Sequence, residues 1–255
     1  MTGEKFEKLW QIMKRLREEC PWDKEQTHDS IKAALLEETY ETIEAIDLKN
    51  YDELKSELGD LLLHIVFHSA IGEENKTFSI DDVIDSINEK LIRRHPHVFS
   101  DTKVNGTKDI LRNWEEIKLT EGRDSLLEGV PKNLPALACA FRLQEKASKV
   151  GFDWEKKEDV WKKVIEEIEE IHEMERSGDK AELEKEMGDV FFALTNYARF
   201  LGIHPENALR LTNEKFITRF NYIEQKIKES GKSLTESNLE EMDKYWEESK
   251  TILKL

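Results

Sequence analysis

One pattern of acidic residues occurs twice in this chain, and its spacing constrains the fold more than any other feature. The first copy is Leu35-Leu36-Glu37-Glu38-Thr39-Tyr40-Glu41, answered by Glu57-Leu58-Gly59-Asp60. The second is Val164-Ile165-Glu166-Glu167-Ile168-Glu169-Glu170, answered by Glu186-Met187-Gly188-Asp189. Each is an E-x-x-E followed by an E-x-x-D, and the step from Glu41 to Glu57 is sixteen residues, as is that from Glu170 to Glu186. Residues three apart lie about 60° apart around an α-helix, so each pair shares a helix face. The polar break Asp47-Leu48-Lys49-Asn50-Tyr51-Asp52 lies between the first two pairs, with Lys49 at their midpoint. Arg176-Ser177-Gly178-Asp179 lies between the second two, with Gly178 at theirs. A helical hairpin closed at each break brings four carboxylates to one height.

Four acidic groups in one small volume repel, so they must share protons or recruit a cation. An all-oxygen donor set selects a hard ion, which makes Mg²⁺ the expected cofactor and Mn²⁺ an alternative. A solvated acidic face is the bland alternative for any single E-x-x-E. Against it, Asp60 opens the apolar run Leu61-Leu62-Leu63-His64-Ile65-Val66-Phe67, and Asp189 opens Val190-Phe191-Phe192-Ala193-Leu194. Gly59 and Gly188 weaken their helices, which predicts close approach of a ligand or another helix.

Charged residues make up 37% of the chain, as fits long solvated helices, and the five prolines all sit at plausible element edges. The net charge of −16 disfavours nucleic-acid and anionic-membrane partners. Cys20 and Cys139 make no disulfide framework, and no signal peptide or membrane-length apolar run is present, so a cytoplasmic protein is expected. The periodicity predicts an opening helix over residues 3–19, then a loop at Cys20-Pro21-Trp22-Asp23 that packs its tryptophan, with His28 structural. The acidic helices follow over about 30–46 and 51–72, and a third over 77–98 capped by Ser79. Residues 100–135 read as a boundary with a short helix at Trp114-Glu115-Glu116-Ile117-Lys118. The pattern restarts at Ala136, and a last long helix begins near Pro205.

The halves agree beyond the acids. Asn-Glu-Lys recurs at 88–90 and 213–215, each followed four residues after the lysine by Arg94 or Arg219, and Trp-Glu-Glu-x-Lys recurs from Trp114 and Trp246. Lys and Arg one turn apart can grip phosphate oxygens, and a tryptophan offers a flat face to a base. The repeat also removes decoys. Glu169-x-x-His172 matches a position where Ile43 stands, and His64 matches Ala193, so neither histidine is expected to be a metal ligand.

With Cys20-Pro21-Trp22-Asp23, Gln26-Thr27, Arg93-Arg94-His95-Pro96-His97-Val98-Phe99 and Gly151-Phe152-Asp153-Trp154, these motifs closely resemble the two-domain form of MazG, of the all-α NTP pyrophosphatase superfamily. The resemblance covers nearly the whole chain. It implies an all-α protein of two tandem MazG-like bundles of four-helix type, residues 1–125 and 126–255, with sites formed in a homodimer. It implies Mg²⁺-dependent hydrolysis of a nucleoside triphosphate to the monophosphate and pyrophosphate. Glu38, Glu41, Glu57 and Asp60 would hold metal in the first domain, and Glu167, Glu170, Glu186 and Asp189 in the second. Lys90, Arg93, Arg94, Lys215 and Arg219 would face phosphates, with Trp114 and Trp246 at the nucleotide. Glu37 and Glu166 are candidates to orient or deprotonate the attacking water. Only the first half carries the CPWD signature and the double arginine, so the copies are expected to differ, with catalysis leaning to the second. The alternatives are a specialised dCTP-type or phosphoribosyl-ATP pyrophosphohydrolase, or a non-catalytic helical interaction protein.

Overall fold

The computed structural model of the chain describes residues 1–107, 109, 110, 113, 114, 117 and 125–253. Among them every regular element is helical. The chain divides into two compact units, Met1–Trp114 and Glu115–Leu255. Most of the short helix expected from Trp114 to Lys118 lies outside the described residues.

The first unit is built on a hairpin of α3 (His28–Asp47) and α4 (Tyr51–Glu74). Thr27 caps α3 by accepting from the Ser30 N–H, and Asn50 caps α4 by accepting from the Glu53 N–H. Between them Lys49 takes a left-handed φ of 54°, so the chain reverses at the midpoint expected from the motif spacing. α1 (Thr2–Glu19) packs on α4, and α5 (Ile80–Arg94) follows, capped by Ser79 and Asp82 reciprocally. Apolar residues at helical spacing close the core: Trp10 and Met13 from α1, Ile31 from α3, Val66, Phe67, Ala70 and Ile71 from α4, and Ile80. The third helix expected over 77–98 is split by Pro96, which ends α5 and starts the one-turn α6 (Pro96–Phe99).

The signature after α1 differs from the expected loop. Pro21–Glu25 forms a one-turn helix, α2, and Trp22 is 63% exposed instead of packed. What holds the segment is Arg17, which is buried. Its guanidinium donates to the Asp23 and Gln26 carbonyls and forms a two-point pair with Glu74 at 2.8 and 2.5 Å. Gln26 in turn donates to the Trp22 carbonyl and accepts from Ser30.

The second unit repeats the hairpin with α8 (Lys157–Ser177) and α9 (Lys180–Phe200), and Gly178 ends α8 at a φ of 74°. Asp179 caps α9 by accepting from Ala181 and Glu182. α7 (Ala136–Ser148), α10 (Pro205–Glu229) and α11 (Leu239–Ile252) pack alongside. Val160, Val164, Val190, Ala193, Ile223 and Ile227 are its buried apolar residues. The Gly151-Phe152-Asp153-Trp154 segment is tied down by Asp153, which pairs with Arg199 of α9. No described helix is long and apolar enough to cross a membrane.

The glycines within the acidic motifs are not sites of helix contact. A Cβ built on Gly59 or Gly188 meets no atom of the described chain within 4 Å, so of the two expected neighbours, a ligand or another helix, no helix of this chain is the one. The tight position is Gly72, where a Cβ would stand 2.8 Å from the Phe78 ring.

Candidate metal centre

Helix geometry brings three of the four acids in each unit into ligand range. In the first unit, carboxylate oxygens of Glu38, Glu41 and Glu57 lie within 4.8 Å of one another; in the second, those of Glu167, Glu186 and Asp189 do. Glu57 and Glu167 are the buried members, at 8% and 6% exposure. The fourth acids stand close by. Asp60 is near enough for its charge to act on both Glu38 and Glu57, and Glu170 shares a hydrogen bond with Glu167. The donors are all carboxylate oxygen, the set that suits a hard divalent ion.

The electrostatics differ between the units. Burial, joined by the charges of neighbouring acids, pushes the Glu38 and Glu57 carboxyls above the ordinary range. Glu170 is likewise raised, first by its hydrogen bond with Glu167. In the second unit, however, the Lys163 ammonium lies 2.7 Å from Glu167 and 2.7 Å from Glu166. These pairings raise its pKa and keep it charged. The matching position in the first unit is Ala34. Lys163 is a site residue that the motif reading missed, although a lysine four residues before Glu167 shares its helix face.

A raised carboxyl pKa has a definite sign. Such a group holds its proton longer in the folded than in the unfolded chain. Its contribution to stability is therefore present below the ordinary carboxylate pKa and is lost as pH rises through the raised folded value. Above that value the cluster is fully ionised and needs a counter-ion. Mg²⁺ is therefore expected to raise the melting temperature more at pH 7.5 than at pH 4.5. Melting curves with Mg²⁺ and with a chelator at the two pH values check this, and equal shifts would contradict it.

The remaining sequence-derived residues fall in two places. In the second unit, Lys215 and Arg219 sit one turn apart on α10, both half-buried. Arg219 lies over the Trp246 ring at 5.5 Å, and Phe216 packs against the same ring at 5.4 Å. The Arg219 Nε is buried without a partner among the described residues. In the first unit, Trp114 meets His95 edge to face at 4.9 Å. Lys90 lines a shallow cavity of about 350 Å³ with Phe78, Asp82, Val83, Ser86 and Ile87. Arg93 is exposed and Arg94 half-buried at the end of α5. Glu37 and Glu166 are both exposed, each next in sequence to a member of its triple.

A model of the MazG nucleotide pyrophosphohydrolase domain matches the chain twice, over residues 26–99 and 155–223, and each match contains one carboxylate triple. The chain is 47% identical over 254 residues to the nucleoside triphosphate pyrophosphohydrolase/pyrophosphatase MazG of Thermotoga maritima, covering 98% of this chain and 97% of that one. It is 42% identical to the nucleoside triphosphate pyrophosphohydrolase of Escherichia coli, at 96% and 97% coverage. It is also 50% identical to the uncharacterized YabN of Bacillus subtilis over 91% of this chain and 48% of that protein. Two domain matches, each enclosing a carboxylate triple, together with full-length relatives, place the chain in the MazG nucleotide pyrophosphohydrolase family.

Proposed function

We infer that the chain hydrolyses nucleoside triphosphates to the monophosphate and pyrophosphate. The observation that carries this reading is the pair of oxygen-only carboxylate triples, one inside each family-domain match. Glu167, Glu186 and Asp189, with Glu170 alongside, would hold Mg²⁺ in the second unit; Glu38, Glu41 and Glu57, with Asp60, would do so in the first. The bound ion would supply positive charge against the triphosphate oxygens and the leaving pyrophosphate.

The chain's own cations do the rest of the electrostatic work. Lys163 already stands at the buried carboxylate, and Lys215 and Arg219 present a second cationic pair on α10. These groups would take up phosphate oxygens and hold the chain of phosphates in line for attack. Trp246, braced by Phe216 and Arg219, offers the base a flat face. Glu166, paired with Lys163 on the site's helix, would orient a water. The second unit is the better catalytic candidate because Lys163 stands 2.7 Å from its buried Glu167, where the matching position in the first unit is Ala34. Trp114, Lys90, Arg93 and Arg94 would serve a nucleotide in the first unit, with Glu37 in the role of Glu166.

Surface chemistry supports a homodimer as the reading. Leu36, Tyr40, Leu58, Leu62, Leu63 and Ile65 are exposed on the first hairpin, and Ile165, Met187, Phe191, Phe192 and Leu194 on the second. Apolar surface on this scale marks a partner interface. Both cysteines are free, which suits a cytoplasmic location.

Pyrophosphate release from each common NTP and dNTP with Mg²⁺ tests the reading, using wild type, Glu41→Gln, Glu170→Gln and the double variant. Loss in Glu170→Gln alone is the expected result. Loss in Glu41→Gln alone moves catalysis to the first unit. Orthophosphate as the product, or no release from any nucleotide, ends the proposal.

A further inference from the structure

The nucleotide side of the second unit is assembled from two helices. Lys215 and Arg219 come from α10, and Trp246 comes from α11. The Trp246 ring lies 5.5 Å from the Arg219 guanidinium and 5.4 Å from the Phe216 ring. How far the base-binding face stands from the phosphate-gripping cations therefore depends on how α11 is set on α10.

The setting has an apolar and a polar part. On the shared side, Ser249 of α11 and Ile223 and Ile227 of α10 are buried. Such packing is non-directional and does little to oppose a small roll of α11 about its own axis. Hydrogen bonds have a set length and angle and do oppose it. Glu248 accepts from the Tyr222 hydroxyl at 2.8 Å, and Glu241 accepts from Lys232, just beyond α10, at 2.9 Å. Seven residues apart, Glu241 and Glu248 lie about 20° apart around α11, on one flank. Trp246 lies about 160° from Glu248, on the other flank, with the buried Ser249 between them. A roll that breaks the Glu248 contact therefore carries Trp246 out of its place beside Arg219. Burial, followed by the hydrogen bond to Glu248, holds the Tyr222 phenol above its ordinary range, so the hydroxyl keeps the proton it donates. Lys226, one turn on, lies over the Tyr222 ring at 5.6 Å.

We propose that Tyr222 and Glu248 are positioning residues for the nucleotide base: their hydrogen bond fixes the angle of α11 on α10 and so holds Trp246 where the base stacks. The proposal rests on the pyrophosphohydrolase reading and gives it a part that the acidic motifs do not contain. Neither residue is called on to touch the nucleotide. Their effect belongs to binding, because the carboxylates of the metal centre lie on α8 and α9.

The test is pyrophosphate release by the full chain at saturating Mg²⁺ over a range of nucleoside triphosphate concentrations. Tyr222→Phe deletes one oxygen and leaves the ring. It should raise KM about fivefold, the equivalent of one hydrogen bond, with kcat within about twofold of wild type. Glu248→Ala should match it, and Glu248→Gln, whose amide oxygen can still accept, should recover most of the loss. In a Trp246→Ala background, Tyr222→Phe should change kcat/KM by less than about twofold, because the ring it positions is gone. A tie that merely stabilised the unit would exact its loss in both backgrounds. Circular dichroism checks folding, and if Trp246→Ala does not fold, the comparison of Glu248→Ala with Glu248→Gln decides. An unchanged KM in Tyr222→Phe overturns the proposal. So does a fall in kcat at constant KM, an equal loss in both Glu248 variants, or a further fivefold fall on top of Trp246→Ala. A wild type that releases no pyrophosphate ends the parent reading and this one together, whereas an active wild type matched by Tyr222→Phe ends this one alone.

Discussion

Glu167→Gln is expected to lower pyrophosphate release by about three orders of magnitude, the rate equivalent of losing several kcal/mol of charge stabilisation. Glu167 is the most buried acid of the second triple. It accepts from Lys163 at 2.7 Å and shares a hydrogen bond with Glu170. The amide keeps the shape but removes a charge from the donor set and turns an N–H₂ toward the Lys163 ammonium. The change sits on the face of α8 away from its caps, so helix content should hold. Release measured at saturating Mg²⁺, with Glu38→Gln as the matched change in the first unit, decides the matter. Activity within tenfold of wild type in Glu167→Gln would remove the second triple from catalysis.

Arg17→Met is expected to cost about 3 kcal/mol of stability, with the loss confined to the first unit. Removing one partner of a buried, hydrogen-bonded ion pair leaves the other groups unsatisfied, which costs more than the pair contributes. Here the stranded groups are the Asp23 and Gln26 carbonyls and Glu74, so α2 and the start of α3 lose their tie to α1 and α4 together. Glu74 is 46% exposed on its side chain and can return to water, so Glu74→Gln should cost clearly less. Denaturant unfolding of the three proteins checks the order. Equal losses for Arg17→Met and Glu74→Gln would mean that the backbone contacts of Arg17 contribute nothing.

The hairpins were legible because their turns depend on local chemistry. The midpoints at Lys49 and Gly178 take left-handed backbone, and the cap at Ser79 is a short polar side chain with no strong rival nearby. The acidic clusters were legible from spacing alone. Which three acids converge was not, because the two units bring different members of the same spacing together: both acids of the first helix in one, both of the second helix in the other. Asp60 falls just outside the first triple and Glu170 just outside the second. Lys163 stayed hidden because the repeat was used as a filter, and a residue present in only one copy fails it. Trp22 was misread because an aromatic beside proline looks like a packing anchor, whereas the segment is held through its backbone by Arg17.

The ammonium of Lys163 also sets an order of exchange. On the proposed reading, Glu167 would serve either Lys163 or a bound cation, and with the cation held by the triple Lys163 would be available to a triphosphate oxygen. Metal and nucleotide then assist each other, and linkage makes the assistance mutual: each tightens the other's binding by one common factor. Titrating each ligand with and without the other measures that factor, and Lys163→Met should shrink it toward one. With Ala34 in the corresponding place, the first unit offers no lysine at that position to trade, and its cation and its nucleotide would bind as strangers.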